Sequence, residues 1–537
     1  VSQELLREVT VKSAGNPLYV EEYLAALQDA GAIRVQDGQV LFNADVAAVE
    51  VPRSLRGIVA ARLAKVDAKQ RHLLQIAALV GGRFHDVLLA RVADVPVEEA
   101  SEALEALCER GILVRSTARE YGFSHGLIPQ VLHAGLPLDA REEIHSAIGH
   151  AFEAIYPNHL DDLAERLAHH YREAGNRDRA VDFLVRACNR LDNEHNPSGA
   201  IAFMSRALEL LKSHAQPNRD RMLEFYTRLG DLVLRGRELQ RGLELMEQAI
   251  ELAEGLGRDE HVARFALVRA ECLQLLNRFG DATAWYERAR TVAKRVHNPD
   301  LLRDVTAAWA TAHSRNGEYG RAIGLLREAL ELARQAQDRG AQLRCLIPLA
   351  HACGGADDEE GALAAIAEAR TLIGGTTDRI VECELLKTEG LVSYYIGDLA
   401  QAAKRAHRAL APAKAWGVAY EAAVNAHNLG ETYLHLGDYK RAFAMLRYSY
   451  DVAKDHGFVK LQFGNMRVLG FIDAIKLRSA EGRVRILEAY EYALEHHYVW
   501  DIVQSRYMLA VVDYTQDRVE DGRLGLREVH QLAREYG

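Results

Sequence analysis

Small side chains return along most of this chain at a step of about 40 residues. They occupy three columns, and the apolar residues between the columns keep a helical spacing. The first column holds Gly230, Ala270, Ala310, Ala350, Gly390, Gly430, Gly470 and Ala510. The second holds Gly242, Ala282, Ala322, Ala362, Ala402, Ala442, Gly482 and Gly522, and the third holds Ala249, Ala289, Ala329, Ala369, Ala409, Ser449, Ala489 and Val529. Because small residues at fixed places let two helix backbones approach closely, the pattern predicts a stack of similar helical units.

Each unit contains two amphipathic helices. In one unit, Leu429, Tyr433 and Leu436 share a helix face. The Gly437–Asp438 pair then interrupts the helix, and a second apolar face begins at Tyr439. Each unit is therefore predicted to be a helix–turn–helix hairpin.

This hairpin resembles the tetratricopeptide repeat (TPR), which has a small residue and an aromatic residue in its first helix, a Gly-Asp-Tyr turn and an alanine in its second helix. Similar turns occur at Asn277–Gly280, Asn316–Tyr319 and Ile396–Leu399, and the resemblance covers roughly residues 160–537. TPR units usually have about 34 residues, and about 40 lies at the edge of the HEAT range, but the Gly-Asp-Tyr turn favours TPR. Longer helices, as in the TPR-like arrays of bacterial signalling ATPases, explain the difference. The resemblance implies an all-α, right-handed TPR-like α-solenoid.

The start of the array is irregular. Ala180 lies in the second helix of a first hairpin, but the next helix carries Ala200 only twenty residues later. We therefore expect the helix around Ala180 to pair both with the helix before it and with the helix after it. This predicts an irregular junction over residues 151–215, followed by a regular array of about eight repeats over residues 216–537.

The first 150 residues do not share the period. Asp37–Gly38 between two short apolar runs is typical of a tight β-hairpin. Helices are predicted near residues 54–65, 68–80, 85–92 and 97–110, and short strands at 111–114 and 121–124. Because helices followed by a small hairpin are the order of a winged-helix domain, we place such a domain at residues 49–150.

Three segments resemble the C-terminal half of the nucleotide-binding module of STAND ATPases, the signal-transduction NTPases with numerous domains: Gly15–Glu22, Val51–Leu63 and Tyr121–Ile128. The likeness is to the ATPase segments attached to bacterial adenylate cyclases, LuxR-type regulators and some Ser/Thr kinases. It implies that residues 1–48 are a helical remnant of that module. It also implies that Gly15 and Pro17 pack near the nucleotide base and that His125 contacts the phosphate of bound ADP. The alternatives are a first-turn helix proline for Pro17 and, for His125, a strand-end histidine bonded to the backbone.

The phosphate-binding half of such a module is absent from the sequence. No G-x-x-x-x-G-K-[ST] occurs, and no apolar strand ends in an acidic pair that would hold Mg²⁺. We therefore expect no catalytic residue, no enzyme activity and no cofactor in this chain alone, with ATP or ADP and Mg²⁺ bound only by the intact protein. Val1 is not a normal translation start, so we expect the sequence to be part of something longer.

Composition and charge argue against several other functions. A net charge of −10 with scattered arginines disfavours nucleic-acid binding, and no apolar run approaches the length of a membrane span. The six cysteines lie far apart, which favours buried thiols in a reducing bacterial cytoplasm. Adjacent histidines such as His169 and His170 point to different sides of a helix, so no metal site is predicted.

A partner surface is predicted on the inner side of the later repeats, because the first helix of each hairpin lines the concave face of TPR arrays. The residues projected inward are Tyr394, Tyr395, His427, Glu431, His435, Arg467, Phe471 and Tyr507. Aromatic and arginine side chains on a rigid groove are favourable anchors for a peptide or ligand. The alternative is that the rings only fill gaps between helices.

Three functions fit these patterns. The first is the sensor region of a STAND-type ATPase, in which the array binds a protein, peptide or small-molecule effector and the winged helix couples binding to nucleotide state. The second is a passive TPR scaffold, and the third is the regulatory region of a larger nucleotide cyclase, kinase or transcriptional regulator. None of them requires a nucleic-acid or membrane partner, and self-assembly is an option for the intact protein.

Overall fold

The structure is a computed structural model that describes residues 17–29, 32–36, 39–42, 55–194, 196–276, 278–374, 379–415, 419–496 and 498–536. The chain divides into two compact units, residues 1–218 and residues 219–537. None of the described helices is both long enough and apolar enough to cross a membrane.

A helix and a β-hairpin open the described part of the first unit. Helix α1 (Pro17–Asp29) is followed by strands β1 (Ile33–Gln36) and β2 (Gln39–Phe42), which pair antiparallel with Ile33 opposite Phe42. The predicted hairpin is confirmed, although its turn at Asp37–Gly38 lies outside the described residues.

A small three-stranded sheet with flanking helices comes next. Its elements are α2 (Leu55–Ala64), α3 (Ala68–Val80), β3 (Arg83–His85), α4 (Asp86–Ala93), α5 (Val97–Glu109), β4 (Leu113–Arg115) and β5 (Glu120–Phe123). The strand order is β3-β5-β4, and both pairings are antiparallel. The four predicted helices and the two later strands are confirmed, whereas β3 was not predicted. It has three residues, of which only Phe84 is buried, so it carries almost no periodic signal.

Five further helices complete the first unit: α6 (Leu127–Ala134), α7 (Leu138–Ile155), α8 (Ala164–Glu173), α9 (Arg177–Asn193) and α10 (Pro197–Lys212). Helix α9 packs against both α8 and α10, as predicted from the short step between Ala180 and Ala200. Asn196 caps α10 by accepting a hydrogen bond from the Gly199 amide, and Pro197 opens the helix with a φ angle that suits its first turn.

The second unit is a succession of helical hairpins. Its helices are α11 (Arg219–Gly236), α12 (Leu239–Gly255), α13 (Asp259–Leu275), α14 (Phe279–Arg295), α15 (Pro299–Arg315), α16 (Tyr319–Gln335), α17 (Arg339–Gly355), α18 (Glu359–Ile373), α19 (Arg379–Tyr395), α20 (Leu399–Ala415), α21 (Ala419–His435), α22 (Tyr439–Asp455), α23 (Val459–Lys476), α24 (Ala480–Glu495), α25 (Val499–Thr515) and α26 (Val519–Tyr536). The first helices of successive hairpins begin 40 residues apart, at 219, 259, 299 and so on to 499. The predicted all-α, TPR-like solenoid is confirmed.

The first two columns of small residues face each other inside several of the hairpins. A Cβ atom added to Gly470 would lie 2.6 Å from the carbonyl oxygen of Gly482, and one added to Gly482 would lie 2.5 Å from the carbonyl oxygen of Gly470. A Cβ on Gly430 would meet the Leu446 side chain at 2.6 Å. The small residues therefore recur every 40 residues because the backbones of paired helices come into close contact at these positions.

The turns inside the hairpins also repeat. Gly317, Asp357, Gly397, Gly437 and Asp517 all have positive φ, at 80°, 58°, 81°, 76° and 65° respectively. Glycine adopts this left-handed conformation at no steric cost, and aspartate tolerates it better than most residues. In several turns the residue that follows caps the next helix. Asp438, for example, accepts a hydrogen bond of 3.1 Å from the Arg441 amide, and Asp358 and Asp398 cap their helices in the same way.

Candidate ligand surface of the helical array

The first helices of the second unit form its inner layer. Each of them packs against the second helix of its own hairpin, and each one before α25 also packs against the first helix of the next hairpin. All eight residues predicted to face a partner lie on four of these helices, α19, α21, α23 and α25. Most of them contact a neighbouring first helix, so they line the seams of the inner layer.

An aromatic seam joins three of these hairpins. The Tyr395 hydroxyl lies 3.3 Å from His351 Nε2, and the ring of Tyr394 lies 5.6 Å from that of His435. Burial raises the pKa of Tyr394 to about 12 and also raises that of Tyr395, whereas burial lowers the pKa of His351. Both phenols therefore stay protonated at neutral pH and are able to donate hydrogen bonds.

A polar seam follows between α21, α23 and α25. Arg467 is 3% exposed, and its guanidinium lies 2.8 Å from Asp501 Oδ1 and 3.4 Å from Glu431 Oε1. Glu431 also lies 3.6 Å from His427 Nε2, and His427 Nδ1 is 3.0 Å from the side-chain oxygen of Asn465. The buried Nε of Arg467 has no hydrogen-bond partner among the described residues.

Beside Arg467 lies a small pocket whose free space is about that of a single water molecule. Its lining comes from α23, α24, α25 and the turn before α25: Lys460, Phe463, Gly464, Arg467, Ala489, Tyr492, Ala493, Tyr498, Asp501 and Ser505. The rings of Phe463 and Tyr492 stack with centroids 4.0 Å apart, and Lys460 Nζ lies 4.2 Å from the centre of the Tyr498 ring. Ser505 is fully buried, and its hydroxyl also lacks a partner among the described residues. The pocket thus combines aromatic walls with two unused buried polar groups.

Sequence reasoning placed Arg467 at this site but missed Asp501 and Ser505. A signal for the first was present, because Lys387 and Glu421 repeat the same spacing of 34 residues and form a 3.0 Å ion pair between α19 and α21. A cation in one first helix therefore reaches an acid at the start of the next first helix. Ser505 carries no such signal.

The other two predicted partner residues differ in their surroundings. Phe471 is half-buried against the apolar cluster that contains Leu446, Ile472 and Ile486, so its ring fills a gap between helices. Tyr507 is 46% exposed.

The predicted nucleotide-contact residues lie in the first unit. Gly15 is outside the described residues, and Pro17 is the exposed first residue of α1. His125 Nε2 lies 2.5 Å from Glu22 Oε1, and the other oxygen of this buried carboxylate accepts a 2.6 Å hydrogen bond from Arg62. His125 is thus bonded to a side chain of α1, not to backbone. Its buried Nδ1 has no partner among the described residues.

Comparisons with known proteins support the repeat fold. A tetratricopeptide repeat model matches residues 307–340, and a model described as Domain of unknown function (DUF8739) matches residues 1–41. No curated protein matches the chain.

Similar solved structures include a Rap protein complexed with Competence and Sporulation Factor, at 13% identity and a TM-score of 0.50, covering 66% of this chain and 98% of that one. The quorum sensor NprR from B. thuringiensis has 15% identity and a TM-score of 0.45 over 68% of this chain and 99% of its own. A STAND protein with a tetratricopeptide repeat sensor from Pyrococcus horikoshii has 13% identity and a TM-score of 0.44 over 99% of this chain and 69% of its own. At these identities the likeness shows the fold alone.

Proposed function

We propose that the TPR-like array binds a peptide segment of a partner protein along its inner layer and that the pocket beside Arg467 holds one anchor side chain of that segment. The observation that carries this proposal is the pair of buried polar groups, Arg467 Nε and Ser505 Oγ, that have no partner among the described residues. Leaving such groups unpaired costs about 1–3 kcal/mol each, so a ligand that satisfies them gains that amount.

The size and chemistry of the pocket define the anchor. The free space beside Arg467 is far smaller than the roughly 300–1,000 Å³ of typical small-molecule sites, so only the tip of one side chain would enter it. Both unused groups are able to donate a hydrogen bond, and the Phe463–Tyr492 stack offers an apolar wall. The anchor is therefore an acceptor-bearing side chain with an apolar stem, such as glutamine, glutamate or methionine sulfoxide.

The Rap protein of similar fold is complexed with Competence and Sporulation Factor. We extend ligand binding to this chain on the basis of its own pocket. The aromatic seam around Tyr394, Tyr395 and His435 lies on the neighbouring first helices and would contact the rest of an extended peptide. Because these rings are held by helix packing, they lose little conformational entropy on binding.

Random-peptide display against the full chain tests this proposal, followed by fluorescence polarisation with the enriched peptides. Ser505→Ala removes an unpaired buried hydroxyl, so we expect the free energy of unfolding to stay equal or rise while the Kd increases about fivefold to tenfold. Arg467→Met should weaken binding further. The control is Arg447→Met on α22, an exposed arginine that pairs with Asp451 and lies over the Tyr450 ring, and this variant should bind as wild type. Wild-type affinity in both pocket variants would refute the assignment.

We further propose that the chain is the sensor region of a STAND-type signalling ATPase and that it is not itself an enzyme. The supports are the resemblance of the N-terminal segments, the winged-helix order of α3 to β5, and the contact of His125 with Glu22 on α1. If His125 exchanged its hydrogen bond to the Glu22 carboxylate for one to a nucleotide phosphate, the position of the sheet would depend on which nucleotide is bound. ATP or ADP with Mg²⁺ would be bound by the intact protein.

Titration of the intact protein with ADP, with and without the enriched peptide, tests the coupling. Reciprocal linkage requires the peptide to change ADP affinity by the same factor by which ADP changes peptide affinity. His125→Gln should reduce that factor while leaving peptide affinity without ADP unchanged. A peptide that binds with no effect on ADP in the wild type would favour the passive scaffold instead.

A further inference from the structure

Three histidines meet in the first unit, away from the surfaces described above. His145 lies on α7, and His169 and His170 lie on α8. One ring nitrogen from each lies within 4.8 Å of the other two, and the Nδ1 atoms of His145 and His170 are 2.9 Å apart. His145 and His170 are buried, at 4% and 2% exposure, whereas His169 is exposed.

The packing of α7 on α8 creates this cluster. Gly149 permits the contact, because a Cβ atom there would meet the Tyr171 ring at 2.8 Å. Adjacent residues on a helix point in different directions, yet the rings of His169 and His170 are 5.4 Å apart and the His145 ring lies 5.7 Å and 5.2 Å from them. Because the third imidazole comes from the facing helix, the adjacent pair in the sequence gives no sign of the cluster.

The donor atoms of the cluster suit a metal ion. At 2.9 Å one Nδ1–H donates to the other Nδ1, so the accepting Nδ1 presents an unprotonated lone pair inside the cluster. Neutral imidazole is the form that coordinates metals.

We propose that His145, His169 and His170 bind one divalent first-row transition-metal ion, with a fourth coordination position open to solvent beside His169. Imidazole nitrogens suit zinc, copper and nickel, and three protein ligands with one open position is an established zinc arrangement. Bonds of about 2.0–2.1 Å to zinc place tetrahedral ligand atoms about 3.4 Å apart. The buried pair needs to separate slightly, and the exposed His169 needs to rotate inward.

The charges around the cluster limit its affinity. Arg141, Arg166, Arg172 and Arg206 all act on these histidines, and Glu173 is the carboxylate that opposes them. A dication entering this environment is repelled by more charge than attracts it. We therefore expect a micromolar site that fastens α7 to α8.

The test uses the full chain after treatment with EDTA and titration with Zn²⁺ or Co²⁺ alone, followed by calorimetry and by the visible absorption of bound Co²⁺. We expect one ion per cluster and a rise in Tm, since an ion that binds only the folded state stabilises it. His169→Ala replaces an exposed side chain, so the variant should fold normally by circular dichroism and lose at least about 100-fold in affinity, more than outer-shell changes usually cost.

The matched control is His159→Ala, because His159 is an exposed histidine of the same unit whose imidazole lies 3.5 Å from Asp162. It should bind metal as wild type does. The proposal fails if wild type binds no stoichiometric metal at concentrations up to about 100 μM. It also fails if His169→Ala keeps wild-type affinity or the same rise in Tm.

Discussion

Replacing Gly470 by alanine should open the seventh hairpin of the array. The new Cβ would lie 2.6 Å from the carbonyl oxygen of Gly482 and 3.0 Å from Arg485 Cβ. Backbone atoms are not able to swing aside, so α23 and α24 must separate by several tenths of an ångström. A gap of about 0.5–1 Å forfeits a quarter to a half of each dispersion contact along the seam.

The same substitution at Gly324 provides a matched control. Gly324 is exposed in the interior of α16, and an added Cβ there meets no atom within 4 Å. Alanine favours a helix over glycine by about 1 kcal/mol at either position, so this contribution cancels between the two variants. Overpacking at Gly470 costs about 1–3 kcal/mol, and the two variants should therefore differ by that amount. We expect Gly324→Ala to stabilise the array and Gly470→Ala to destabilise it.

Urea unfolding, monitored by circular dichroism, ranks the wild type and the two variants by stability. Repeat arrays do not always unfold in one step, so hydrogen exchange of the amides in α23 and α24 should be measured as well. Gly470→Ala should accelerate exchange there, and Gly324→Ala should not. If Gly470→Ala stabilises the protein as much as Gly324→Ala does, the small columns do not mark close packing and the reasoning is wrong.

Two further predictions concern single side chains. Asp438→Ala removes the cap on the Arg441 amide and should lower the free energy of unfolding by about 0.5–2 kcal/mol in urea titrations, whereas Asp451→Ala, at an exposed ion pair, should change it by less than about 0.5 kcal/mol. Burial raises the pKa of Glu271 to about 7 against the lowering effect of Arg315, with Asp231 adding to the rise. The folded state therefore holds the proton more tightly than the unfolded state, so the contribution of Glu271 to stability is complete below about pH 4.5 and is lost as the pH rises through about 7. The unfolding free energy of Glu271→Gln should lack this decline, and an identical pH profile in both proteins would contradict the assignment.

Much of the fold could be predicted from the sequence because the same helix–turn–helix pattern occurs in each successive repeat. The Gly-Asp-Tyr turn at Gly437–Tyr439 and the short step from Ala180 to Ala200 each predicted the helices that the structure shows. Strand β3 could not be predicted, since a strand of three residues with one buried ring is too short to show a hydrophobic period.

Less of the candidate site could be predicted from the sequence, because the site is formed by contacts between helices that are distant in the chain. Arg467 was found from its place on a first helix, but its burial against Asp501 appears only when neighbouring hairpins are stacked. His145 is separated from His170 by 25 residues and a change of helix, so no local pattern joins them. Phe471 fits the alternative of a ring that fills a gap between helices, since a position on the inner layer does not by itself distinguish a ligand contact from a packing contact.

The constant step between hairpins has a consequence for how such a gene changes over time. First helices begin at residues 259 and 299, so loss of the intervening segment would join α12 to α15 with every small column still in register. Recombination between misaligned repeats would thus add or remove a whole hairpin without creating a new packing problem. The length of the array, and with it the length of ligand it accommodates, is open to selection independently of the pocket beside Arg467.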